Sequence, residues 1–488
     1  LGVSMRKNDL DLVYAPAFRL LELFKVQEIS PVDVLEAQIS RIEAENEKVN
    51  AITYTHFDSA RKAAKESEKR YKQGNPRPLE GITVGMKDEH GLAGWIITQG
   101  SKLFKDAKLE TNDPVADKLL EAGAILHIQT TVPEFYFSGV TWTDLWGVTR
   151  NPWNLKYAVG GSSGGSGAAL AAGFCTLATG SDMGGSIRIP CAFNGLYGYK
   201  PPYGRVPTTE ILLVIATNGP MARTLPDIIH MQNTISGPHP YSPSTISPKL
   251  ELPLEYHDLK GVHIAFSPDQ SWAQIDTDTA KNTAKAVDLL RQAGAIVDEV
   301  DLDLGVTADD LRFALVEAAL YGPQGAMLGR LASQKDQMTT YGRDFVEKAA
   351  AGGYGAKEAL QYENNIKVAN SHLQNQIFLK GYDAMVMPTL ATSHIPAALD
   401  YTQDTTVING VEVNSLAGWI LTPLFNILNW YPVINAPTGR SSEGMPTGLQ
   451  IVTQSYDDLT AHRVAAGYSE VAPRLFTGNQ FPDFRGGN

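Results

Sequence analysis

The chain has 488 residues, of which 43% are hydrophobic and 19% are charged, a composition typical of globular proteins with a large core. It carries 41 lysines and arginines against 53 aspartates and glutamates, which gives a net charge of −12. This acidic balance contains no block of like charges and argues against binding to nucleic-acid phosphates, which requires a basic surface. We therefore expect no nucleic-acid partner.

The cysteines and the apolar runs narrow the class of protein further. Cys175 and Cys191 are the two cysteines of the sequence, too few for a disulfide framework, and no CxxC pair exists for a zinc site of the cysteine type. The first residues lack the apolar stretch of a secretory signal. No run approaches the ~18–20 apolar residues that a membrane-spanning helix needs. We expect a cytoplasmic protein without a metal or a membrane partner.

The N-terminal segment, about residues 10–75, is predicted to be helical. Residues 17–25 and 30–48 have amphipathic spacing, and the second helix begins with Ser30, Pro31 and Asp33, which form a capping-box pattern. A third helix is predicted over 57–72, because Gly74-Asn75-Pro76 follows it.

Strands and helices then alternate. Ile82, Val84 and Met86 alternate with other residues, as in a strand that ends at Lys87. A predicted helix at 114–123 is followed by a buried strand at 124–128, and strand-like runs return at 384–389 and 432–453. This alternation predicts an α/β sheet with helices on its faces.

The remaining segments indicate one domain over residues 1–488. Residues 235–260 are rich in proline, serine and charge and are predicted to form a surface connection. The region of about 270–380 is predicted to be a mostly helical insertion. The sequence has no internal repeat and no sharp change in composition, which favours a single domain. The catalytic core of this domain is predicted to comprise about 76–235 and 382–470.

A first glycine-serine cluster spans residues 160–167 and places hydroxyl groups on a tight turn. A phosphate-binding loop is disfavoured because no Gly-Lys-Ser/Thr follows. Gly160-x-Ser162-x-Gly164 also matches the nucleophile elbow of α/β-hydrolases, which would require a downstream histidine such as His394 or His462. The cluster alone leaves these interpretations open.

A second cluster and a lysine add further chemistry. Gly184 and Gly185 precede Ser186 and can turn successive N–H groups toward one point, as an oxyanion hole requires. Lys87 ends an apolar strand, where desolvation would lower its pKa and let the amine act as a base. Taken singly, an ordinary glycine turn and a solvated surface lysine are the more common explanations of these residues.

Taken together, the three pieces closely resemble the amidase signature family. Lys87 in G-I-T-V-G-M-K-D, the run G-G-S-S-G-G-S and the run G-S-D-M-G-G-S-I-R-I-P carry the resemblance. Ser162 and Ser186 lie 24 residues apart, as in that family. Matching flanks extend it from about residue 20 to about residue 470: Arg150-Asn-Pro-Trp-Asn154, Gly198-Tyr-Lys-Pro201, Gly219-Pro-Met-Ala-Arg223 and Gly448-Leu-Gln450.

The resemblance implies a serine hydrolase with a Ser–cis-Ser–Lys triad, a variant of the serine triad. Ser186 would be the nucleophile, Ser162 the bridging serine after a cis peptide bond, and Lys87 the base. It also implies an α/β/α sandwich around a large mixed twisted sheet, and no cofactor. The oxyanion hole would consist of the N–H groups of Met183, Gly184, Gly185 and Ser186. The supporting residues would be Ser163, Asp182 and Arg188.

The resemblance also points to a substrate pocket. The segment that lines the pocket in relatives holds Tyr136, Phe137, Trp142 and Trp146, and Trp430 stands where the family usually has glycine. Trp419 and Phe425 lie in a further lining segment of the relatives. We expect an aromatic pocket for a neutral, hydrophobic or aryl amide, with carbamates (urethanes) and esters as further candidates. Packing in the core is the alternative for these rings.

Two other functions remain as alternatives. The A subunit of the tRNA-dependent amidotransferase, a glutaminase, shares the core motifs but usually has G-S-D-T-G-G-S-I-R-Q-P, where this chain has Met183 and Ile189. A G-x-S-x-G esterase would use a histidine base. In each amide-cleaving case the partners are a small-molecule substrate and water, and we expect a monomer or a homodimer.

Overall fold

The computed structural model describes residues 9–210, 213–317 and 323–486. Its centre is an eleven-stranded sheet. The strands of this sheet are β1 (Ile52–Thr55), β2 (Thr83–Lys87), β3 (Ile125–Thr130), β8 (Leu177–Asp182), β9 (Tyr197–Lys200), β10 (Thr217–Ala222), β11 (His263–Phe266), β12 (Ile296–Glu299), β13 (Ala384–Pro388), β16 (Val433–Arg440) and β17 (Pro446–Thr453). Their order across the sheet is β1-β3-β2-β8-β10-β9-β16-β17-β13-β11-β12. Three two-stranded ribbons are formed by β4 (Trp142–Thr143) with β5 (Gly147–Val148), β6 (Arg150–Asn151) with β7 (Asn154–Ala158), and β14 (Thr406–Ile408) with β15 (Val411–Val413).

The strands run in mixed directions. β2 lies between β3 and β8 and is parallel to both, and β11 is parallel to β12 and β13. The central strands from β8 to β13 pair antiparallel. Because β2 and β8 are parallel, their carboxyl ends meet at the same edge of the sheet.

Helices cover both faces of the sheet. Successive strand residues point to opposite faces, so Leu177 packs in one core cluster and Ala178 in another. The α-helices are Asp9–Tyr14, Ala17–Lys25, Pro31–Val49, Phe57–Lys72, Pro114–Glu121, Gly164–Ala172, Arg188–Asn194, Leu225–Ile235, Thr277–Gln292, Ala308–Arg312, Pro323–Gly329, Thr340–Ala351, Ala356–Gln376, Leu424–Ile427 and Asp458–Val471.

The predicted N-terminal helices and the strand that carries Lys87 are present. Helices span Ala17–Lys25, Pro31–Val49 and Phe57–Lys72, within one or two residues of the predicted ranges. The capping box is formed: Asp33 N–H donates to Ser30 Oγ at 3.1 Å, and Ser30 N–H donates to Asp33 Oδ2 at 2.9 Å. The predicted surface connection at 235–260 contains turns but no helix after its first residue and no extended strand.

Three features differ from the prediction. The region predicted as a helical insertion contributes β12, which pairs with β11 at the sheet edge. The strands β9 and β10 had no distinct sequence pattern, because both are buried on both faces and lack alternation. The glycine-serine cluster at 160–167 is predicted to form a tight turn, but its second half begins the helix Gly164–Ala172. A Cβ on Gly164 would lie 2.0 Å from Thr141 Oγ1, so this helix packs closely at its first residue.

Within residues 9–210, 213–317 and 323–486, no helix has both the length and the apolar character needed to cross a membrane.

Candidate active site

Lys87 is the last residue of β2 and is fully buried beside the end of β8. Its Nζ donates a hydrogen bond to Ser162 Oγ at 2.9 Å. It also donates to Ser181 Oγ at 2.6 Å and lies 2.9 Å from Glu89 Oε2. The lysine therefore points inward, onto the hydroxyl that the sequence motif predicts as its partner.

Burial lowers the pKa of Lys87 because it disfavours the charged ammonium. The carboxylate of Glu89 opposes this effect by stabilising the charge. The net direction is downward, toward the range in which an amine serves as a base.

Ser162 and Ser186 occupy two loops that meet beside Lys87. The Gly161–Ser162 peptide bond is cis. A Cβ on Gly161 would lie 2.4 Å from the Ser138 carbonyl oxygen, so glycine is required for this close approach. Ser163 N–H donates to Ser186 O at 3.3 Å and ties the two loops together, and both Ser162 and Ser186 line one cavity.

The turn before Ser186 presents amide groups to this cavity. Met183, Gly184 and Ser186 line it, and their N–H groups have no hydrogen-bond partner among the described residues. Gly185 was expected to contribute its N–H group to the oxyanion hole, but this group donates to Asp182 Oδ1 at 2.8 Å instead. Gly185 has a φ of 127°, and a Cβ there would lie 2.0 Å from Thr422 Oγ1, so its role in this structure is to permit the turn.

Asp182 and Arg188 form a fully buried ion pair of 2.9 Å behind the turn. Burial alone would raise the pKa of Asp182, but the charge and hydrogen bonds of Arg188 and the Asn426 amide lower it to about 2. Arg188 also donates to Gln450 Oε1 at 2.7 Å and to the Thr422 carbonyl oxygen at 2.9 Å. This network fixes the turn that carries Ser186.

The cavity has a volume of about 360 Å³. Its polar lining residues come from the two serine loops and the turn after β2, and we call this set the polar side. Its aromatic lining residues are Phe135, Tyr136, Phe137, Phe345 and Tyr401, and we call this set the aromatic side. Phe137 stacks on Phe345 with ring centroids 3.5 Å apart, and the Tyr136 ring lies 5.0 Å from Lys87 Nζ.

The structure does not place the three predicted tryptophans in the cavity wall. Trp142 donates its indole N–H to the Leu399 carbonyl oxygen at 2.9 Å, and Trp146 donates to Thr98 Oγ1 at 3.1 Å. Trp430 packs against a core cluster. Each ring thus finds packing or a polar partner elsewhere, as amphipathic rings do in cores. The further rings Trp419 and Phe425 are also buried in the core.

Several residues of the site were missed by the sequence analysis. Ser181 and Glu89 contact Lys87. Ser181 lies inside the motif that contains Ser186, and Glu89 directly follows the motif that contains Lys87, so their positions in the sequence were an available signal. Phe345 and Tyr401 come from distant parts of the chain, and no local pattern could have found them.

No histidine nitrogen is hydrogen-bonded to Ser162 or Ser186 in the part of the chain that the structure describes. His90 lines the cavity, but its Nε2 lies 3.2 Å from Asn218 Oδ1. His394 pairs with Ser441 Oγ, and His462 with the Asp458 carbonyl oxygen. The hydroxyl of Ser162 contacts a lysine instead, which disfavours an esterase with a histidine base.

Similarity to known proteins shows the family of this chain. Residues 33–461 match the family model described as Amidase. The chain belongs to this family, the amidase signature enzymes. It is therefore a hydrolase that acts on C–N bonds, with water and small-molecule amides as substrates, and the predicted family and fold are confirmed.

Three similar proteins illustrate the relationship. An acylamidase of Rhodococcus erythropolis is 29% identical over 91% of this chain and 93% of its own. The A subunit of the glutamyl-tRNA(Gln) amidotransferase of Carboxydothermus hydrogenoformans is 30% identical over 94% of this chain and 98% of its own. The crystal structure of a bacterial aryl acylamidase superimposes with a TM-score of 0.86 at 27% identity, covering 94% of this chain and 96% of that one.

Proposed function

We propose that this amidase is an acylamidase that cleaves neutral amides with an apolar or aryl group through an acyl-enzyme on Ser186. The observation that carries the proposal is the buried Lys87 Nζ at 2.9 Å from Ser162 Oγ, beside a cavity that Ser162 and Ser186 both line. This arrangement supports a proton route from Ser186 through Ser162 to Lys87.

The first half of the reaction forms the acyl-enzyme. Neutral Lys87 takes the proton of Ser162 Oγ, which takes the proton of Ser186 Oγ as that oxygen attacks the carbonyl carbon. The negative charge then develops on the carbonyl oxygen. The N–H groups of Met183, Gly184 and Ser186, which have no partner in the described part of the chain, are the donors that we assign to that oxygen.

The second half releases the products. Ser162 passes a proton to the leaving nitrogen, because an amine leaves an amide readily only when protonated. Water then attacks the acyl-enzyme along the same proton route and frees the acid. The Asp182–Arg188 pair holds the turn in place throughout, since both side chains are fully buried and paired.

The aromatic side of the cavity supports an apolar or aryl substrate. Phe135, Phe137 and Phe345 present ring surface to it, and such surface favours apolar groups through burial and ring contacts. The similar acylamidase and aryl acylamidase act on substrates that their names describe as acyl amides. Carbamates and esters are included as substrates to test, since their acyl groups can follow the same route.

The similar amidotransferase chains favour glutaminase activity as the second candidate. Free glutamine carries a carboxylate that a site would pair with a cation. Among the described residues that line the cavity, Lys348 is the single ammonium or guanidinium group, and its Nζ already lies 2.8 Å from Asp344 Oδ2. The cavity therefore suits a neutral aryl amide better than glutamine.

The test is a hydrolysis panel of p-nitroanilides, aryl carbamates, p-nitrophenyl esters, simple carboxamides and glutamine, with wild-type protein and Ser186→Ala. We expect turnover of the anilides, and we expect a fluorophosphonate to label wild-type protein but not Ser186→Ala. Turnover confined to glutamine, or labelling that survives in Ser186→Ala, would overturn the proposal.

A further inference from the structure

Glu89 contacts the amine of Lys87 and the hydroxyl group of Ser181, which also contact each other. Its Oε2 lies 2.9 Å from Lys87 Nζ and accepts a hydrogen bond from Ser181 Oγ at 2.6 Å. Ser181 Oγ in turn accepts a hydrogen bond from Lys87 Nζ at 2.6 Å. The three side chains therefore contact one another in a triangle, with the amine at one corner.

The backbone explains how Glu89 reaches a residue only two positions before it. His90 N–H donates to the Lys87 carbonyl oxygen at 2.8 Å, which turns the chain back at the end of β2. This turn lays the Glu89 side chain along the cavity wall, 28% exposed, whereas Lys87 is fully buried. The side chain of Glu89 thus contacts the buried amine and also lines the cavity.

Three side-chain oxygens lie close to Lys87 Nζ. An ammonium group has three N–H donors, of which two are hydrogen-bonded to Ser162 Oγ and Ser181 Oγ. Glu89 Oε2 lies 2.9 Å from Nζ and forms an ion pair with it. Glu89 is the charged member of this set. Its removal would leave two hydroxyl groups to orient the amine.

We infer that Glu89 is a positioning residue for the amidase reaction, which holds Lys87 Nζ against Ser162 and sets the pH at which the amine can accept a proton. This inference rests on the proposed roles of Lys87 and Ser162. It concerns Glu89 itself, which contacts the base and not the reacting carbonyl group.

Other charged groups face this pair from neighbouring elements, but they act from farther away or are engaged elsewhere. Asp182 is paired with Arg188, and Asp88 accepts hydrogen bonds from the hydroxyl and N–H groups of Thr98. The further groups around the pair are His90, Asp113, Glu210 and the Tyr136 ring. Among the residues that the structure describes, Glu89 is the carboxylate in direct contact with Nζ.

The sign of the effect follows from the charges. Burial raises the pKa of Glu89, but the Lys87 charge lowers it to about 2, so the group is a carboxylate at working pH. A carboxylate beside an ammonium stabilises the protonated amine, and Lys87 must lose that proton to solvent before it can act as a base. Glu89 therefore moves the acid limb of the activity profile to higher pH.

The experiment measures kcat/KM against pH for wild type, Glu89→Gln and Glu89→Asp, with a p-nitroanilide that the wild type hydrolyses. In Glu89→Gln we expect the acid limb to move down by about 1–3 pH units, the range typical of losing an adjacent opposite charge. We expect the plateau to fall on the order of tenfold, because the variant lacks the carboxylate that stabilises the charge on Lys87 when it takes up the proton of Ser162. Glu89→Asp keeps the charge and should return the acid limb toward that of wild type.

A matched control is Glu210→Gln, which removes one negative charge from the same cavity wall without touching Lys87. It should shift the acid limb in the same direction but by much less. Ser181→Ala keeps the charge of Glu89 and should lower the plateau with little movement of the limb. If Glu89→Gln does not fold, Glu89→Ala serves as a second variant that removes the charge.

The pH dependence of Ser186 labelling by a fluorophosphonate supplies a readout that needs no substrate. An acid limb that stays in place or moves to higher pH in the charge-deleting Glu89 variants would overturn the inference. So would a shift in Glu210→Gln as large as that in Glu89→Gln. Wild-type protein without turnover, or a fully active Lys87→Ala variant, would instead overturn the proposed function on which the inference rests.

Discussion

The two sides of the cavity are built in different ways. The polar side consists of strand ends and the turns that follow them, and it is fixed by buried hydrogen bonds such as those of Arg188. The aromatic side combines a short segment around Phe135–Phe137 with Phe345 of helix Thr340–Ala351 and with Tyr401. One side comes from motif residues of the central sheet, and the other from packing between segments that are distant in sequence.

This difference separates chemistry from selectivity. Changes on the polar side should alter the rate with every substrate, or the stability of the turn, because its groups act on the reacting atoms or hold the groups that do. Changes on the aromatic side should alter how well particular substrates bind. The predictions below test that separation.

The largest effect is expected from Lys87→Met, which removes the base and keeps the side-chain volume. We expect kcat to fall by about 10³-fold or more with every substrate, as when a member of a serine triad is lost. The free energy of unfolding should fall, because the Glu89 carboxylate and the hydroxyl groups of Ser162 and Ser181 lose their partner. Steady-state kinetics on the panel, with urea denaturation alongside, measure both.

Lys200→Met is the matched control, because Lys200 also ends a strand and is fully buried. Its Nζ donates to Asn429 Oδ1 at 2.6 Å, and the residue does not line the cavity. We expect its kcat to remain near that of wild type. If the two methionine variants lose activity equally, burial rather than contact with Ser162 would explain the loss.

The next largest effect concerns stability on the polar side. Arg188→Met leaves the Asp182 carboxylate buried without its partner, which is expected to lower the free energy of unfolding by about 3–5 kcal/mol. Arg485→Met is the control, since the Arg485–Asp483 pair is about half exposed and should contribute less than about 1 kcal/mol. Urea denaturation measures the free energy of unfolding of both variants. An Arg188→Met variant as stable as Arg485→Met would contradict the role assigned to the Asp182–Arg188 pair.

A smaller effect follows from pH. Asp182 has a folded-state pKa of about 2, below the ~3.9 of an unfolded chain, so its contribution is present above that unfolded value and is lost as pH falls through 2. Asp182→Asn lacks this dependence. We expect the stability gap between wild type and Asp182→Asn to narrow by about 1 kcal/mol between about pH 6 and pH 3. A gap that stays constant in urea denaturation at both pH values would refute the assignment.

The polar side could be predicted from the sequence because its geometry depends on residues that are close together in the chain. A lysine at the end of an apolar strand and serines among glycines predict which backbone turns occur, and parallel strand ends meet at one edge of the sheet. The residues of the aromatic side could not all be predicted in this way. Trp142 and Trp146 stand beside Phe137 in the chain, but their indole N–H groups bond to Leu399 and Thr98 away from the cavity.

The same contrast between local patterns and distant packing explains which helices and strands could be predicted. The helices near the N-terminus carry capping and amphipathic patterns, so their bounds were predicted closely. The strand β12 reads Ile-Val-Asp-Glu, and three of its four residues are exposed at the sheet edge, so it offers little pattern within a helical region. Which residues meet at the cavity depends on how such elements pack, and that information is not local.

The smallest expected effect tests the aromatic side. Phe137 lines the cavity and stacks on Phe345, and Phe137→Leu removes the ring while keeping an apolar side chain. Ring pairs contribute about 0.5–1.5 kcal/mol beyond their buried area, so KM for an anilide should rise by about 2- to 12-fold. KM for a small aliphatic amide should hardly change, and kcat should stay near that of wild type for both.

Phe104→Leu is the control for this variant, because Phe104 packs on the same cluster through Phe135 but does not line the cavity. Equal changes in KM for the two variants would mean that the cluster acts only through stability. A fall in kcat with every substrate in Phe137→Leu would mean that the ring helps to place the serines, because a group that only binds the aryl part of the substrate leaves the rate of small amides unaltered. The two sides of the cavity would then be coupled, and selectivity could not be changed there without changing the chemistry.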